Sequence, residues 1–358
     1  MGSKPSHELP KWRIAADTGG TFTDIVAWSP SGDRFESKVL STGNLRLRCL
    51  ERVGERSMRV ESRDLPDGFL NGVDLGEGRR VLEFGGGYLT YEGAPLAEES
   101  LLEIETGLSA PVLGAYLVTQ TPLAEALPPL SLRVATTRGT NALLEGKGAR
   151  VTLVVSEGWE DLLRIGDQTR PDLFARPIPE RRVLFADVQS VPLRLDRNGT
   201  PVGDLRSSLR EADESEIVVI SLCNGYQNPE LEREYAERIS SEKEVRIIPA
   251  TAVSSLPGYL RRTETAVVEG YLAPILDAYL DGIGRAEGVD QLEVMTSAGG
   301  IVSRKQFRAV DSLLSGPAGG MIGAVEVAKR AGIGSFLAFD MGGTSTDVSR
   351  FDGDLAYR

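Results

Sequence analysis

Two eight-residue segments of this 358-residue chain carry nearly the same string of chemistry-bearing side chains. Asp17-Thr18-Gly19-Gly20-Thr21-Phe22-Thr23-Asp24 and Asp340-Met341-Gly342-Gly343-Thr344-Ser345-Thr346-Asp347 agree at six of eight positions. Paired glycines let a backbone bend sharply and bring N–H groups close to an anion, and threonine hydroxyls donate further hydrogen bonds to phosphate oxygens. An aspartate at a strand end can hold a hydrated Mg²⁺ that bridges such oxygens. On these grounds Asp17 and Asp340 are candidates for Mg²⁺ and its waters. Gly19, Gly20, Thr21, Thr23, Gly342, Gly343, Thr344 and Thr346 are candidates for cradling the phosphates, while Asp24 and Asp347 brace their own turns. A lone Asp-x-Gly-Gly-Thr string is as readily a plain hairpin turn; two copies in matching surroundings favour phosphate binding.

Strands must present these turns. Each copy follows an apolar strand, and each is followed by a second strand and a polar turn, Trp28-Ser29-Pro30-Ser31-Gly32 in one and Phe351-Asp352-Gly353-Asp354 in the other. Residues 12–42 read as a β-meander, and 44–110 as a β-rich module with strands at 45–50, 57–60, 80–84 and 101–104. A helix is expected over 111–130, then a strand at 132–135 running into the polar turn 136–141. Strands at 151–155, 217–222, 245–248 and 292–295 alternate with helices, among them one over 259–285 interrupted at Pro274 and an Ala/Gly-rich one over 319–330. Such alternation predicts an α/β architecture.

Composition removes several function classes. The formal net charge of −12 deprives nucleic-acid or anionic-membrane binding of its electrostatic drive, so neither partner is expected. The single histidine, His7, stands in the polar N-terminal tail, which excludes a Ser-His-Asp triad or a His-rich zinc site in the folded body. Two cysteines, Cys49 and Cys223, build no disulfide framework, and Cys223 reads as core rather than nucleophile. Without an apolar leader the expected location is the cytoplasm. No Walker A loop competes, because Gly146-Lys147 is followed by Gly148.

The paired loops resemble the phosphate-1 and phosphate-2 loops of the ATPase superfamily of sugar and acetate kinases, actin and the heat-shock chaperones. That resemblance implies a ribonuclease-H-like (actin-like) α/β fold clamping Mg-ATP. Here it comprises a first half, the truncated start of a second half, and a small β-rich insertion. The run Ser315 to Ala324 stands where the superfamily places a helix between halves; its small residues also suit plain helix packing. Further strings, Thr137-Arg138-Gly139-Thr140-Asn141-Ala142-Leu143-Leu144-Glu145, Gly166 to Phe174, Tyr226-Gln227-Asn228-Pro229-Glu230, Ser297-Ala298-Gly299-Gly300 and Leu314 to Gly320, together resemble the hydantoinase A / 5-oxoprolinase family. The family pattern implies an N-terminal region over 12–205, with the insertion at about 44–110, and the start of the hydantoinase A/oxoprolinase domain over 206–358.

The resemblance implies ATP-dependent hydrolysis of a cyclic amide, 5-oxoproline to glutamate, by phosphorylation of the lactam carbonyl oxygen. Arg138, Asn141, Asp167 and Arg170 are candidates for the lactam and its carboxylate, since arginine gives a bidentate carboxylate contact; solvated loops or salt bridges explain them equally well. Arg262-Thr263-Glu264 reads as a charged helix start. The sequence departs from the pattern at Cys223-Asn224-Gly225 and at Gly146. The segments that would bind adenosine would follow Arg358, so weak or absent nucleotide binding is expected of this chain alone. The missing C-terminal half or a hydantoinase-B-like subunit would complete it, and a homo-oligomer stays open. Two alternatives stand beside this one: a hydantoin- or ketone-phosphorylating relative (N-methylhydantoinase or acetone carboxylase subunit type), and a truncated, non-catalytic remnant.

Overall fold

Side chains alternate between buried and open along β1 (Trp12–Thr18) and β2 (Phe22–Trp28), which form an antiparallel meander with the more exposed β3 (Arg34–Leu40). Ile14, Ala16 and Thr18 of β1 face inward with Thr23, Ile25 and Ala27 of β2. The structure, a computed structural model, describes residues 11–61, 65–169, 172, 174, 176–177, 181–210, 217–242, 244–341 and 346–353.

The β-rich module is a six-stranded antiparallel sheet of β4 (Leu45–Gly54), β5 (Ser57–Glu61), β6 (Asp74–Gly76), β7 (Arg79–Gly85), β8 (Tyr88–Glu92) and β9 (Leu101–Ile104), in the order β6-β7-β8-β5-β4-β9. Leu47, Met58, Phe69 and Leu89 fill its core together with Leu113 of α1 (Ala110–Thr119), so the module is sealed by a helix of the main chain path. That helix is shorter than the expected 111–130. Gln120 adopts a left-handed conformation at φ 57° and Pro122 follows, a combination that stops a helix.

β10 (Leu130–Thr136) runs parallel to β1 and leads directly into α2 (Arg138–Glu145), so Arg138 and Asn141 stand on a helix rather than in the expected turn. The chain continues through β11 (Val151–Ser156), α3 (Leu162–Ile165), β12 (Asp187–Val191), the hairpin β13 (Arg194–Leu195) and β14 (Pro201–Val202), β15 (Ile217–Ser221), α4 (Glu230–Glu242), β16 (Arg246–Pro249) and α5 (Ala250–Val253). β12-β11-β15-β16 form a fully parallel four-stranded sheet, whose central strands are buried on both faces and are mostly Val, Ile and Leu.

α6 (Tyr259–Gly284) passes through Pro274 without the expected break. A proline inside a helix costs about 3 kcal/mol. Ala266, Val267, Leu272, Leu276, Leu280 and Ile283 along it are buried, and each buried leucine or isoleucine contributes about 1.5–3 kcal/mol, so packing outweighs the missing hydrogen bond. β17 (Val289–Met295) and β18 (Ile301–Ser303) complete a second six-stranded sheet, β18-β17-β10-β1-β2-β3. α7 (Ser315–Arg330), β19 (Phe336–Met341) and β20 (Thr346–Phe351) follow.

Two compact units result, one of residues 1–140, 278–307 and 311–358, the other of 141–277 and 308–310. This division follows compactness and does not fall at 205/206, which lies inside the second unit. Among the described residues no helix is long and apolar enough to cross a membrane.

Candidate functional site

The first glycine-rich turn joins β1 to β2, with Thr18 paired to Thr23 and Asp17 directly opposite Asp24. Gly19 N–H donates to the Phe22 carbonyl at 3.0 Å, and a Cβ on Gly19 would stand 3.1 Å from that same oxygen, so the close approach favours glycine. Gly20 and Thr21 are exposed at the tip. Thr23 is not available there: it is fully buried, and its hydroxyl shares a 3.1 Å hydrogen bond with Ser41 Oγ. Ser41 Oγ also donates to the Gly19 carbonyl at 2.8 Å, and Ser41 N–H donates to the Thr21 carbonyl at 2.9 Å. Thr23 therefore braces the turn through Ser41, a residue the sequence did not single out because it lies beyond β3, outside the repeated string.

The second copy has the same register. Asp340 pairs with Asp347 and Met341 with Thr346 across β19 and β20. Thr346 is exposed; Gly342, Gly343 and Thr344 lie outside the described residues.

Electrostatics separates the four aspartates. Asp24 is held by Lys38, its neighbour on β3, at 2.9 Å, so it is braced across the sheet rather than within its turn. Among the described residues no ion pair is formed by Asp17. Asp17 is exposed as a residue, yet partial withdrawal of its carboxyl from water, then the charge of Asp24, then that of Asp340 push that carboxyl above the ordinary aspartate range. Asp17 and Asp340 thus lie close enough within one unit for the field of one to reach the other. A cavity of about 720 Å³ beside them is lined by Asp17, Asp24 and Ala135 on the sheet and by Gly316, Gly319 and Gly320 on α7. A Cβ on Gly320 would lie 3.7 Å from Asp340 Oδ2, so the small face of α7 comes within side-chain reach of that carboxylate.

Among the described residues no group of three or more His, Cys, Asp or Glu is set to hold a metal ion. Mg²⁺ needs fewer, being bound by one or two carboxylates with waters and substrate phosphates. An uncompensated carboxylate under repulsion from two others fits that donor set.

The lactam candidates fall differently. Arg138 lays its guanidinium 4.2 Å from the ring centroid of Tyr279, whose hydroxyl meets Thr18 Oγ1 at 3.1 Å. Asn141 follows one turn later on α2 and is half-buried. Asp167 is exposed and closes an Asx turn, accepting from Thr169 N–H at 3.2 Å and Thr169 Oγ1 at 2.7 Å; these bonds hold its carboxyl below the usual range. Arg138 belongs to the first unit, Asn141 and Asp167 to the second, and Arg170 lies outside the described residues.

Elsewhere in the second unit, Arg262 is not an exposed cap but fully buried, donating to the Leu222 carbonyl at 3.1 Å and to Leu256 at 2.9 Å. Thr263 meets Ser221 at 2.7 Å and Glu264 pairs with Arg181. Burial pushes the Cys223 thiol up, away from nucleophilic readiness.

Residues 116–243 match the hydantoinase/oxoprolinase N-terminal region, and residues 262–357 match the hydantoinase/oxoprolinase family. The chain belongs to the hydantoinase/oxoprolinase family. The 5-oxoprolinase of Saccharomyces cerevisiae is 28% identical over 386 aligned positions, covering 96% of this chain and 26% of the yeast protein. The chain thus spans about a quarter of the length of the curated oxoprolinases it matches. Its fold is similar to nucleotide-free acetone carboxylase, with a TM-score of 0.65 at 23% identity over 96% of this chain and 44% of that one. It is also similar to the ATP-dependent caprolactamase from Pseudomonas jessenii, with a TM-score of 0.58 at 22% identity over 94% of this chain and 43% of that one.

Proposed function

We propose that this chain supplies the paired phosphate-binding hairpins of an ATP-dependent enzyme that opens a cyclic amide, with 5-oxoproline the first substrate to test. The carrying observation is the shared register of the two hairpins, Asp17 opposite Asp24 and Asp340 opposite Asp347, with the Asp17 carboxyl feeling Asp340. The strand order β3-β2-β1-β10-β17, in which only β2 is reversed, supports a ribonuclease-H-like half of an actin-like ATPase. The oxoprolinase and caprolactamase names of its relatives support a lactam as substrate.

A lactam carbonyl is resonance-stabilised and a poor electrophile. Transfer of the γ-phosphoryl group breaks its bond to ADP and joins phosphorus to the lactam oxygen, which opens the carbon to water. The ring C–N bond then breaks, the nitrogen takes a proton, and a second water releases phosphate, leaving glutamate and ADP. Such a transfer depends mostly on positioning and charge neutralisation, which a chain without a folded histidine can supply. Gly20 and Thr21 offer N–H and hydroxyl donors to the phosphates, Gly19 closes the turn by donating its N–H to the Phe22 carbonyl rather than to a ligand, Ser41 and Thr23 hold that turn in shape, and Thr346 offers a donor from the second hairpin. Asp17 and Asp340 would hold Mg²⁺, which when bound neutralises phosphate charge.

A ketone-phosphorylating relative is the second reading, favoured by the likeness to acetone carboxylase. Products formed from ATP with 5-oxoproline or with acetone separate the two: glutamate supports the lactam, a phosphorylated or carboxylated ketone the alternative. The phosphate role itself is tested by calorimetric titration with Mg-ATP and Mg-tripolyphosphate. Heat that vanishes in Asp17→Asn supports it, and no heat from either ligand at millimolar concentration leaves the remnant.

A further inference from the structure

Thr18 is the last residue of β1 before the glycine turn. Its carbonyl accepts Thr137 N–H at 3.0 Å, and its buried hydroxyl shares a 3.1 Å hydrogen bond with Tyr279. Tyr279 is itself buried, and the Arg138 guanidinium lies 4.2 Å from its ring centroid, a stacking distance for a cation on an aromatic face. Arg138 N–H donates to Thr136 Oγ1 at 3.2 Å, and Ser315 Oγ donates to the Thr136 carbonyl at 3.3 Å, so the ends of β1 and β10 and the starts of α2 and α7 are tied at one place.

A phenol is an expensive way to fill that space. Burying a hydroxyl costs free energy that a phenylalanine would not incur, and one hydrogen bond returns little more than that cost. What the hydroxyl adds is direction, fixing where β1 ends. The location also matters. Arg138 stands three residues before Asn141, where the second compact unit begins, and Tyr279 two residues after Asp277, where its main segment ends.

We propose that Tyr279 and Arg138 are positioning residues that fix the end of β1, and with it the Asp17 carboxylate and the Gly19–Thr21 turn, beside the points where the chain passes between its compact units. Arg138 is then a stacking cation and not a substrate clamp. The functional part of the inference rests on the phosphate role of the turn; its structural part does not.

The experiment compares Tyr279→Phe, Arg138→Gln and Arg138→Lys with the wild-type chain by amide NMR and by titration with Mg-tripolyphosphate. Tyr279→Phe keeps the ring and removes only the hydroxyl; Arg138 is exposed, so its variants fold even if the tyrosine variant does not. The expected result is that Tyr279→Phe and Arg138→Gln move the Gly19, Gly20 and Thr21 amides while Met58 and Leu89 in the other sheet stay in place. Tripolyphosphate should bind about five- to tenfold more weakly, the effect of one misdirected hydrogen bond, and Arg138→Lys should recover most of the loss. Glycine and threonine amides that stay put, with or without a lower melting temperature, would overturn the proposal. If the amides move but wild-type protein binds no tripolyphosphate, positioning of the turn stands and the phosphate role falls.

Discussion

Replacing Asp17 by asparagine should stabilise the unliganded protein and abolish its response to magnesium nucleotide. Asp17 and Asp24 face each other directly across β1 and β2, and like charges so placed destabilise a strand pair by about 0.2–1 kcal/mol. Burial and the Asp340 charge act in the same direction, favouring the neutral carboxyl. An amide keeps the shape and loses the charge, so the unliganded variant should gain stability within that range. The pH dependence follows in sign. The folded protein holds the Asp17 proton more tightly than the unfolded chain does. Wild-type protein therefore gains stability as pH falls through the raised folded value, and the gain is complete below the ordinary aspartate range. The variant lacks this increment. With ligand the order inverts: nucleotide at ten times its dissociation constant stabilises the wild type by about 1.4 kcal/mol and the variant by close to nothing. Urea unfolding followed by circular dichroism, at about pH 7 and about pH 5, with and without millimolar Mg-ATP, reads all four quantities. A variant less stable than wild type without ligand would mean that the carboxylate makes favourable contacts. Undiminished stabilisation by nucleotide would place Asp17 outside the site.

Three other outcomes follow from packing and burial. Gly114→Ala puts a Cβ 2.4 Å from Ile25 Cγ1; overpacking of about 1–3 kcal/mol exceeds the ~1 kcal/mol of helix propensity gained, and a variant as stable as wild type in urea would contradict this. Glu232, fully buried, accepts Leu222 N–H at 2.7 Å, Thr251 N–H at 2.8 Å and Thr251 Oγ1 at 2.7 Å. Glu232→Gln turns an amide nitrogen toward one of these donors and should cost about 1–3 kcal/mol, checked by the same unfolding and refuted by a loss below about 0.5 kcal/mol. Burial pushes both Glu232 and Glu269 up, so the second unit should be most stable below the ordinary glutamate range and lose stability as pH rises through their raised folded values. Unfolding read at a fluorinated Trp159, the one tryptophan of residues 141–277, tests this, and a rise in stability with pH would refute it.

The elements nearest the site were the most legible because their signals are local. Alternation along Ile14, Ala16 and Thr18 sets a face, and the repeated Asp-x-Gly-Gly-Thr string sets a turn; both survive without knowledge of distant partners. What went unread depends on contacts remote in sequence. Tyr279 and Thr18 stand 261 positions apart, and Thr23 is withdrawn from the turn by Ser41 at the far end of β3. Arg262 looks like a charged helix start until the carbonyls of Leu222 and Leu256 receive its guanidinium. β8, between Gly87 and Gly93, was masked by its flanking glycines, and α6 hid its continuity behind Pro274 because its buried face decides, not the local propensity.

The two copies also show how equal spacing yields unequal chemistry. Both hairpins oppose aspartate to aspartate. In the first, β3 extends the sheet and gives Asp24 a cation, Lys38, at 2.9 Å. Asp17 still feels Asp24 across the hairpin and, more weakly, Asp340 of the other copy. A divalent ion at this point would remove the repulsion from both hairpins at once, whereas a lysine could serve only its own sheet. The repulsion on Asp17 thus comes from both copies, which is the ground on which the proposed phosphate and metal site rests on the pair of strings rather than on either alone.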